Sequence, residues 1–155
     1  MVQPPRGRLK LIALASDHAG FEYKVKVKKI LDQLHLEYKD YGSYSDEPVD
    51  YPDFAYAAAK SVGSGESEKG ILICGSGIGV DIVANKVENV RSALCANIEM
   101  AELSRRHNNA NVLSIGERLT DWETTEKIIR VWLASPFDGG RHERRVGKIH
   151  ALTGC

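Results

Sequence analysis

Cys74 stands at the head of a glycine loop, Cys74-Gly75-Ser76-Gly77-Ile78-Gly79. The apolar run Ile71-Leu72-Ile73 before it reads as a short buried parallel strand, and the apolar-periodic stretch from Ile78 to Val87 reads as a helix. Strand, glycine loop and helix in that order aim backbone N–H groups at an anion. The glycines permit the tight turn and let a ligand approach the backbone. A thiol at that mouth faces the ligand and the positive end of the following helix, and both stabilise a thiolate. The chemistry this would permit is proton abstraction beside a carbonyl: such a loop would hold an enediolate, and Cys74 would move the proton that creates it. Ser76 is placed either to orient an oxyanion or simply to satisfy a turn. The loop is neither the dinucleotide fingerprint, which needs two residues between its second and third glycines, nor a P-loop, because no Gly-Lys-Ser/Thr follows.

Three further stretches carry groups that could act on a bound anion. Asp17-His18 offers a carboxylate and an imidazole, although Asp17 could equally cap the next helix. Ser104-Arg105-Arg106-His107-Asn108-Asn109 leaves a helix, where a histidine can complement the dipole and asparagines suit the end. Gly139-Gly140-Arg141-His142-Glu143-Arg144-Arg145 is the one concentrated basic run. A helix places Arg141 and Arg145 on one face, where two guanidinium forks match a phosphate dianion; the alternative is a solvated terminal helix.

These groups need elements to position them. The sequence predicts strands at Leu9–Ala15, Leu36–Tyr41, Gly70–Cys74, Asn89–Cys95 and Asn111–Ile115. Helices are predicted at Phe21–Leu34, Asp53–Val62, Ile78–Val87, Ile98–Arg106, from Thr120 onward, and at Arg141–His150. Gly42 to Pro52 reads as a loop. Thr120 with Glu123 makes a capping box, and Pro136 ends the helix it opens. Strand and helix alternate throughout, which implies an α/β fold: a doubly wound, Rossmann-like parallel β-sheet of about five strands with helices on both faces. Ligands of such sheets sit beyond the carboxyl ends of the strands. The loops to inspect are therefore Ser16–Gly20, Cys74–Gly79, the stretch before His107, and Gly116–Arg118.

The totals narrow the class. A chain of 155 residues, 43% apolar and 27% charged, suits one domain, expected at residues 9–155 behind a flexible segment at residues 1–8. Lys+Arg and Asp+Glu are 21 each, so no general charge draws the chain to nucleic acid or a membrane, and any anion site must be local. Cys74, Cys95 and Cys155 fit neither a disulfide framework nor a metal knuckle, which points to a reducing, cytoplasmic setting. No metal and no cofactor is expected.

Taken together, the chain resembles the type B ribose-5-phosphate isomerase family, which also contains galactose-6-phosphate and allose-6-phosphate isomerases. The match is carried by Ser16-Asp17-His18-Ala19-Gly20, Asp50-Tyr51-Pro52, Ile73-Cys74-Gly75-Ser76-Gly77-Ile78-Gly79, Ala84-Asn85-Lys86, Ser104-Arg105-Arg106-His107-Asn108 with Asn111-Val112, and Gly139-Gly140-Arg141-His142 with Arg145-Val146. The resemblance implies an aldose–ketose isomerase of the pentose phosphate pathway, converting ribose 5-phosphate to ribulose 5-phosphate. It implies that Cys74 takes the C2 proton and returns one at C1. Ser76 and the loop amides of Gly75, Gly77 and Gly79 would steady the enediolate. Asp17 would move the proton between O1 and O2, and His107 would open the furanose ring. Arg141 and Arg145 would hold the phosphate, with His18, Arg118 and His142 as further candidates; Tyr51 and Asn108 would line the sugar. It also implies a homodimer or tetramer whose sites are shared between subunits.

Many relatives carry threonine where this chain has Ser76, which keeps the hydroxyl. Some use a glutamate at the slot occupied here by Val80; Asp81, one residue on, should point elsewhere on a helix. A hexose 6-phosphate isomerase would use the same base and clamp. A non-catalytic nucleotide or sugar-phosphate binding module is the alternative of a different class, with Glu99 near the place of a ribose-binding acid.

Overall fold

Alternation along the strands divides the interior into two unlike layers. Ile12, Leu14, Ile71, Ile73, Leu113 and Ile115 pack on one face of the sheet with Val27, Ile30, Leu31, Ile128, Ile129 and Trp132. Ala13, Ala15, Leu72 and Cys74 project to the other, against Ala55, Ala58, Ala59, Val80 and Ala84. Side chains of period two on strands and apolar stripes on helices produce this division. Alanine against alanine lets the second helical layer approach the sheet closely, and it sets Cys74 on that side.

The computed structural model describes residues 11–155. Its elements, in order, are β1 (Ile12–Ser16), a 3-10 turn (His18–Gly20), α1 (Phe21–Gln33), β2 (Tyr38–Asp40), α2 (Tyr51–Gly63) and β3 (Lys69–Cys74). There follow α3 (Ile78–Asn85), β4 (Ser92–Leu94), α4 (Ile98–Arg106), β5 (Val112–Gly116), α5 (Trp122–Ala134) and α6 (Arg141–Thr153). All five strands pair parallel, in the order β2-β1-β3-β5-β4. The chain runs outward from β1 to β2, then returns across β1 to β3. The crevice at that reversal lies between the carboxyl ends of β1 and β3, where doubly wound sheets bind ligands.

Several expected boundaries move. The flexible segment at residues 1–8 and the first two residues of the strand expected from Leu9 lie outside the described residues. The edge strands β2 and β4 are three residues each, shorter than Leu36–Tyr41 and Asn89–Cys95, because each has a neighbour on one side only. Helix α2 starts at Tyr51, inside the expected loop, with Pro52 in its first turn, where a missing N–H costs nothing. The capping box at Thr120 does not form. Asp121 is the N-cap instead, its carboxylate accepting from the Thr124 N–H at 2.8 Å; a carboxylate at a helix start also meets the dipole. No helix among the described residues is long and apolar enough to cross a membrane.

Candidate active site

Beyond the ends of β1, β3 and β5 opens a cleft of about 550 Å³. Asp17, His18 and Ala19 line it from β1, Cys74, Gly75 and Ser76 from β3, and Arg118 and Leu119 from β5; Tyr51, Ile78, Gly79 and Ile82 complete it. The cleft thus collects Cys74, Ser76, Asp17, His18, Tyr51, Gly75, Gly79 and Arg118 from the residues expected at a site.

Cys74 is 4% exposed, and its sulfur accepts the Gly77 N–H at 3.2 Å. It is at once a core residue of the α2–α3 layer and the floor of the cleft. An N–H aimed at the sulfur stabilises negative charge there. Gly77 is left-handed (φ 77°), and a Cβ on it would stand 2.8 Å from the Ile115 carbonyl carbon, so only glycine turns the N–H inward here. Gly79 serves close approach instead: a Cβ would meet the Tyr51 ring at 2.6 Å. Ser76 Oγ accepts the Ile78 N–H at 3.1 Å, which closes the turn and leaves the hydroxyl proton free to donate. The Arg118 side chain lies over Gly75, and the Arg118 backbone N–H donates to the Gly75 carbonyl at 3.0 Å.

Asp17 is both a cap and a cleft residue. Its Oδ1 accepts the Gly20 N–H at 3.1 Å as the cap of the 3-10 turn, and the residue also lines the cleft. The Val49 N–H donates to Nδ1 of His18 at 3.1 Å. A backbone N–H can only donate, so Nδ1 presents a lone pair and the ring proton of the neutral imidazole sits on Nε2. Nothing in the sequence marked Val49 for this role. Val80 is buried in the core. Asp81 turns away from the cleft, accepting the Ser92 hydroxyl at 2.6 Å, and Ser92 in turn meets Ser114 at 2.8 Å. Burial pushes the Asp81 carboxyl above its usual range, and the two serines oppose that. Glu99 is exposed in the first turn of α4 and does not line the cleft.

Gly77 stands behind Cys74 in the loop, and the other expected residues, His107, Asn108, Arg141, His142 and Arg145, form a second group that this cleft does not include. His107 caps the end of α4 and stacks on His142 of α6, with ring centroids 4.2 Å apart and planes 8° from parallel. Arg141 and Arg145 are exposed on α6, and Asn108 is exposed beside His107. Burial, then the neighbouring His107 and Arg141, hold the His142 imidazole below its usual pKa. His107, Asp138 and His142 offer ligand atoms within 4.8 Å of one another, the one such group among the described residues. Arg106 already engages the Asp138 carboxylate at 3.2 Å, and stacked rings direct their lone pairs side by side rather than toward one point.

Sequence reasoning missed what holds this second group. Arg105 is buried, and its Nη1 donates to the Ala110 carbonyl at 2.6 Å and to Asn109 Oδ1 at 3.1 Å. Arg91 donates to the carbonyls of Asn108 and Asn109 from the other side. Both arginines serve backbone oxygens of the turn that carries His107. A guanidinium read from sequence gives no hint of whether it faces a ligand or the chain itself.

The three thiols differ in setting. Burial pushes the Cys95 thiol up to about 11, Asp81 adding to the effect and Ser104 opposing it. About one Cys95 in a thousand is then thiolate at pH 8. Iodoacetamide at pH 8 should alkylate Cys74 and leave Cys95 intact, read by peptide mass mapping. A Cys74 left unalkylated would mean that the cleft does not expose its sulfur.

The doubly wound sheet thus places a thiol and a glycine loop at its switch point, in one cleft. The sequence model of the Ribose/Galactose Isomerase family matches residues 12–149, and the chain belongs to that family. Ribose-5-phosphate isomerase B of Escherichia coli is 41% identical over 144 residues, covering 93% of this chain and 97% of that one. The structure is similar to that of Clostridium thermocellum ribose-5-phosphate isomerase B, with a TM-score of 0.91 and 44% identity over 93% of this chain and 97% of that one. It is also similar to the Mycoplasma genitalium ribose-5-phosphate isomerase B with bound ribulose-5-phosphate, with a TM-score of 0.89 and 40% identity over 93% and 96% of the two chains.

Proposed function

We propose that the chain is an aldose–ketose isomerase that interconverts ribose 5-phosphate and ribulose 5-phosphate, with Cys74 as the base. The observation that carries the base assignment is the Cys74 sulfur at the floor of the cleft with the Gly77 N–H upon it. In the open-chain aldose, the thiolate removes the proton from C2, and the electron pair moves through C1 onto O1 to give the enediolate. Loop N–H groups and the Ser76 hydroxyl stabilise the oxygen that gains charge, which is where most of the barrier reduction arises. Asp17 takes the proton from O2 and delivers it to O1. Cys74 then returns its proton to C1 as the C2 carbonyl forms. The proton, two oxygens and one base balance without an external oxidant or reductant.

His107 and Asn108, with Arg141, His142 and Arg145, reach such a site from a second subunit. Two features support this. The second group is absent from the lining of the chain's own cleft. Apolar side chains also stand exposed where a neighbour could cover them: Ile78 and Ile82 at the cleft mouth, Ile149 and Leu152 on α6, with Leu152 84% exposed. The assembly would be a homodimer or tetramer, with Arg141 and Arg145 gripping the phosphate, His142 and Arg118 assisting, and His18 donating through Nε2. The setting is the cytoplasm, in keeping with three free thiols.

A coupled assay with ribose 5-phosphate tests the activity. Comparing kcat/KM with allose and galactose 6-phosphates assigns the sugar, and a clear preference for a hexose would overturn the pentose reading. Arg141→Ala should raise KM by about thirtyfold and leave kcat within a few fold, since a phosphate grip is shared by ground and transition states. Mixing Cys74→Ala and Arg141→Ala chains tests the shared site. Half the dimers would be mixed, each with one intact site, so about a quarter of wild-type activity at low substrate should return. No recovery in mixed dimers would place both residues in one subunit.

A further inference from the structure

We propose that Arg91 and His150 form a latch that fixes α6 against the His107–Asn109 turn, and so sets the spacing between the phosphate grip and the ring-opening histidine. The proposal rests on the reading of function above.

Helix α6 needs such a device. Of its thirteen residues only Val146 is buried. At its start it is held by the stack of His142 on His107. Near its end stands His150, 2.8 Å through Nε2 from Nη1 of Arg91. A guanidinium has no acceptor, so Nε2 must offer a lone pair. The ring proton of the neutral imidazole then sits on Nδ1, which meets the Cys155 carbonyl, an obligate acceptor. Both contacts demand the same tautomer.

Arg91 passes this hold to the turn. Its Nε donates to the carbonyls of Asn108 at 3.2 Å and Asn109 at 3.1 Å, and Nη2 to Asn109 at 2.8 Å. The backbone of Arg91 is itself fixed. Its N–H donates to Asn111 Oδ1 at 2.7 Å, and its carbonyl accepts from the Asn111 and Val112 N–H groups at 3.0 and 3.2 Å. Arg105 grips the same turn from behind, and Asn109 is left-handed there (φ 49°). These bonds tie the turn to the starts of β4 and β5, and the Arg91 side chain reaches from there to His150 of α6. His150 and Cys155 lie beyond residue 149, where the family match ends, so the α6 half of the latch lies outside the matched stretch.

His150 and Arg91 are positioning residues, since neither lines the main cleft. Without the latch, α6 can pivot about the histidine stack, and Arg141 and Arg145 lose their fixed distance from His107. His150→Ala should raise KM for ribose 5-phosphate about tenfold, weaken inorganic phosphate binding to the same degree, and leave kcat within about twofold. His150→Gln, whose Oε1 can accept from Arg91, should recover KM to within about threefold of wild type. Nitrogen-15 NMR of wild type should find the His150 proton on Nδ1. Wild-type KM and phosphate affinity in His150→Ala, or the proton on Nε2, would overturn the latch. A wild-type chain that binds phosphate but does not isomerise ribose 5-phosphate would sink the proposed function instead; the latch would then stand or fall on phosphate affinity and the tautomer.

Discussion

Replacing Cys74 with alanine should lower kcat by about a thousandfold while substrate still binds within a few fold of wild-type affinity. A positioned general base contributes about 10²–10⁴. Nothing nearby can substitute: Val80 is buried in the core, Asp81 is engaged by Ser92, and Asp17 is committed to the Gly20 N–H on one oxygen. Ser76 lines the same cleft, but its hydroxyl is far too weak an acid to supply a base at neutral pH. The loop amides remain in the variant, so oxyanion stabilisation survives and some activity above background persists. Calorimetric titration of the inactive variant with ribose 5-phosphate reads binding directly, and the coupled assay reads kcat. A variant with kcat within threefold of wild type would remove Cys74 from the mechanism. Cys74→Ser keeps the shape and should be nearly as slow, which separates lost chemistry from lost packing.

The largest stability effect is expected at Lys24. Its side chain is 0% exposed and donates to Asp40 Oδ1 at 2.8 Å and to the Ser43 carbonyl. Lys28 meets the other Asp40 oxygen at 2.6 Å, and the Gly42 N–H adds a bond at 2.8 Å. Lys24→Ala leaves a cavity, an unsatisfied carbonyl and a half-buried carboxylate short of one partner. Breaking a buried pair in this way costs about 3–5 kcal/mol, and the retained Lys28 puts this case near ~3 kcal/mol. Thermal unfolding should then fall by roughly 6–12 °C for a chain of this size. Lys24→Met keeps the stem volume and should lose less. Burial pushes the Asp40 carboxyl up, but the bonds from Lys24, Lys28 and Gly42 together outweigh it and hold the group below 3.8. A carboxylate with a lowered folded value adds stability that is complete above its unfolded value and disappears as pH falls through the folded one. The gap between wild type and Lys24→Ala should therefore narrow below about pH 3.8. An unchanged unfolding temperature in Lys24→Ala would show that the buried ammonium contributes nothing. The effect reaches the site as well. The Ser43 N–H donates to the Ser16 carbonyl at 2.6 Å, and the loop that follows delivers the Val49 N–H to His18.

Lys24 also illustrates how a sequence misleads. Among Lys24, Lys26, Lys28 and Lys29 it reads as one member of a solvated helix face, yet it is wholly buried. Only the arrival of Asp40 and the Ser43 carbonyl makes that burial affordable in free energy. The same holds at Thr120. The capping-box spacing is present, but Asp121 offers the better acceptor and takes the cap.

Local pattern sufficed where local physics decides. The alternation of strand and helix required a parallel sheet, and the glycine loop after an apolar strand required N–H groups at its mouth. That Cys74 lines the cleft followed from its standing at that junction, and the same is true of Asp17 and His18 at the end of β1. Tertiary structure alone determined which candidates share a cleft. Hydrogen-bond register carries Cys74 beside Gly116 and Ser16 beside Ile73, which brings three loops to one crevice. It leaves His107, Arg141 and Arg145 out of that crevice, although the motifs carrying them looked equally complete in one dimension. Spacing along a chain fixes which residues share a helix face. It cannot fix which strand end, or which subunit, a helix will face, because that depends on contacts between residues far apart in the chain.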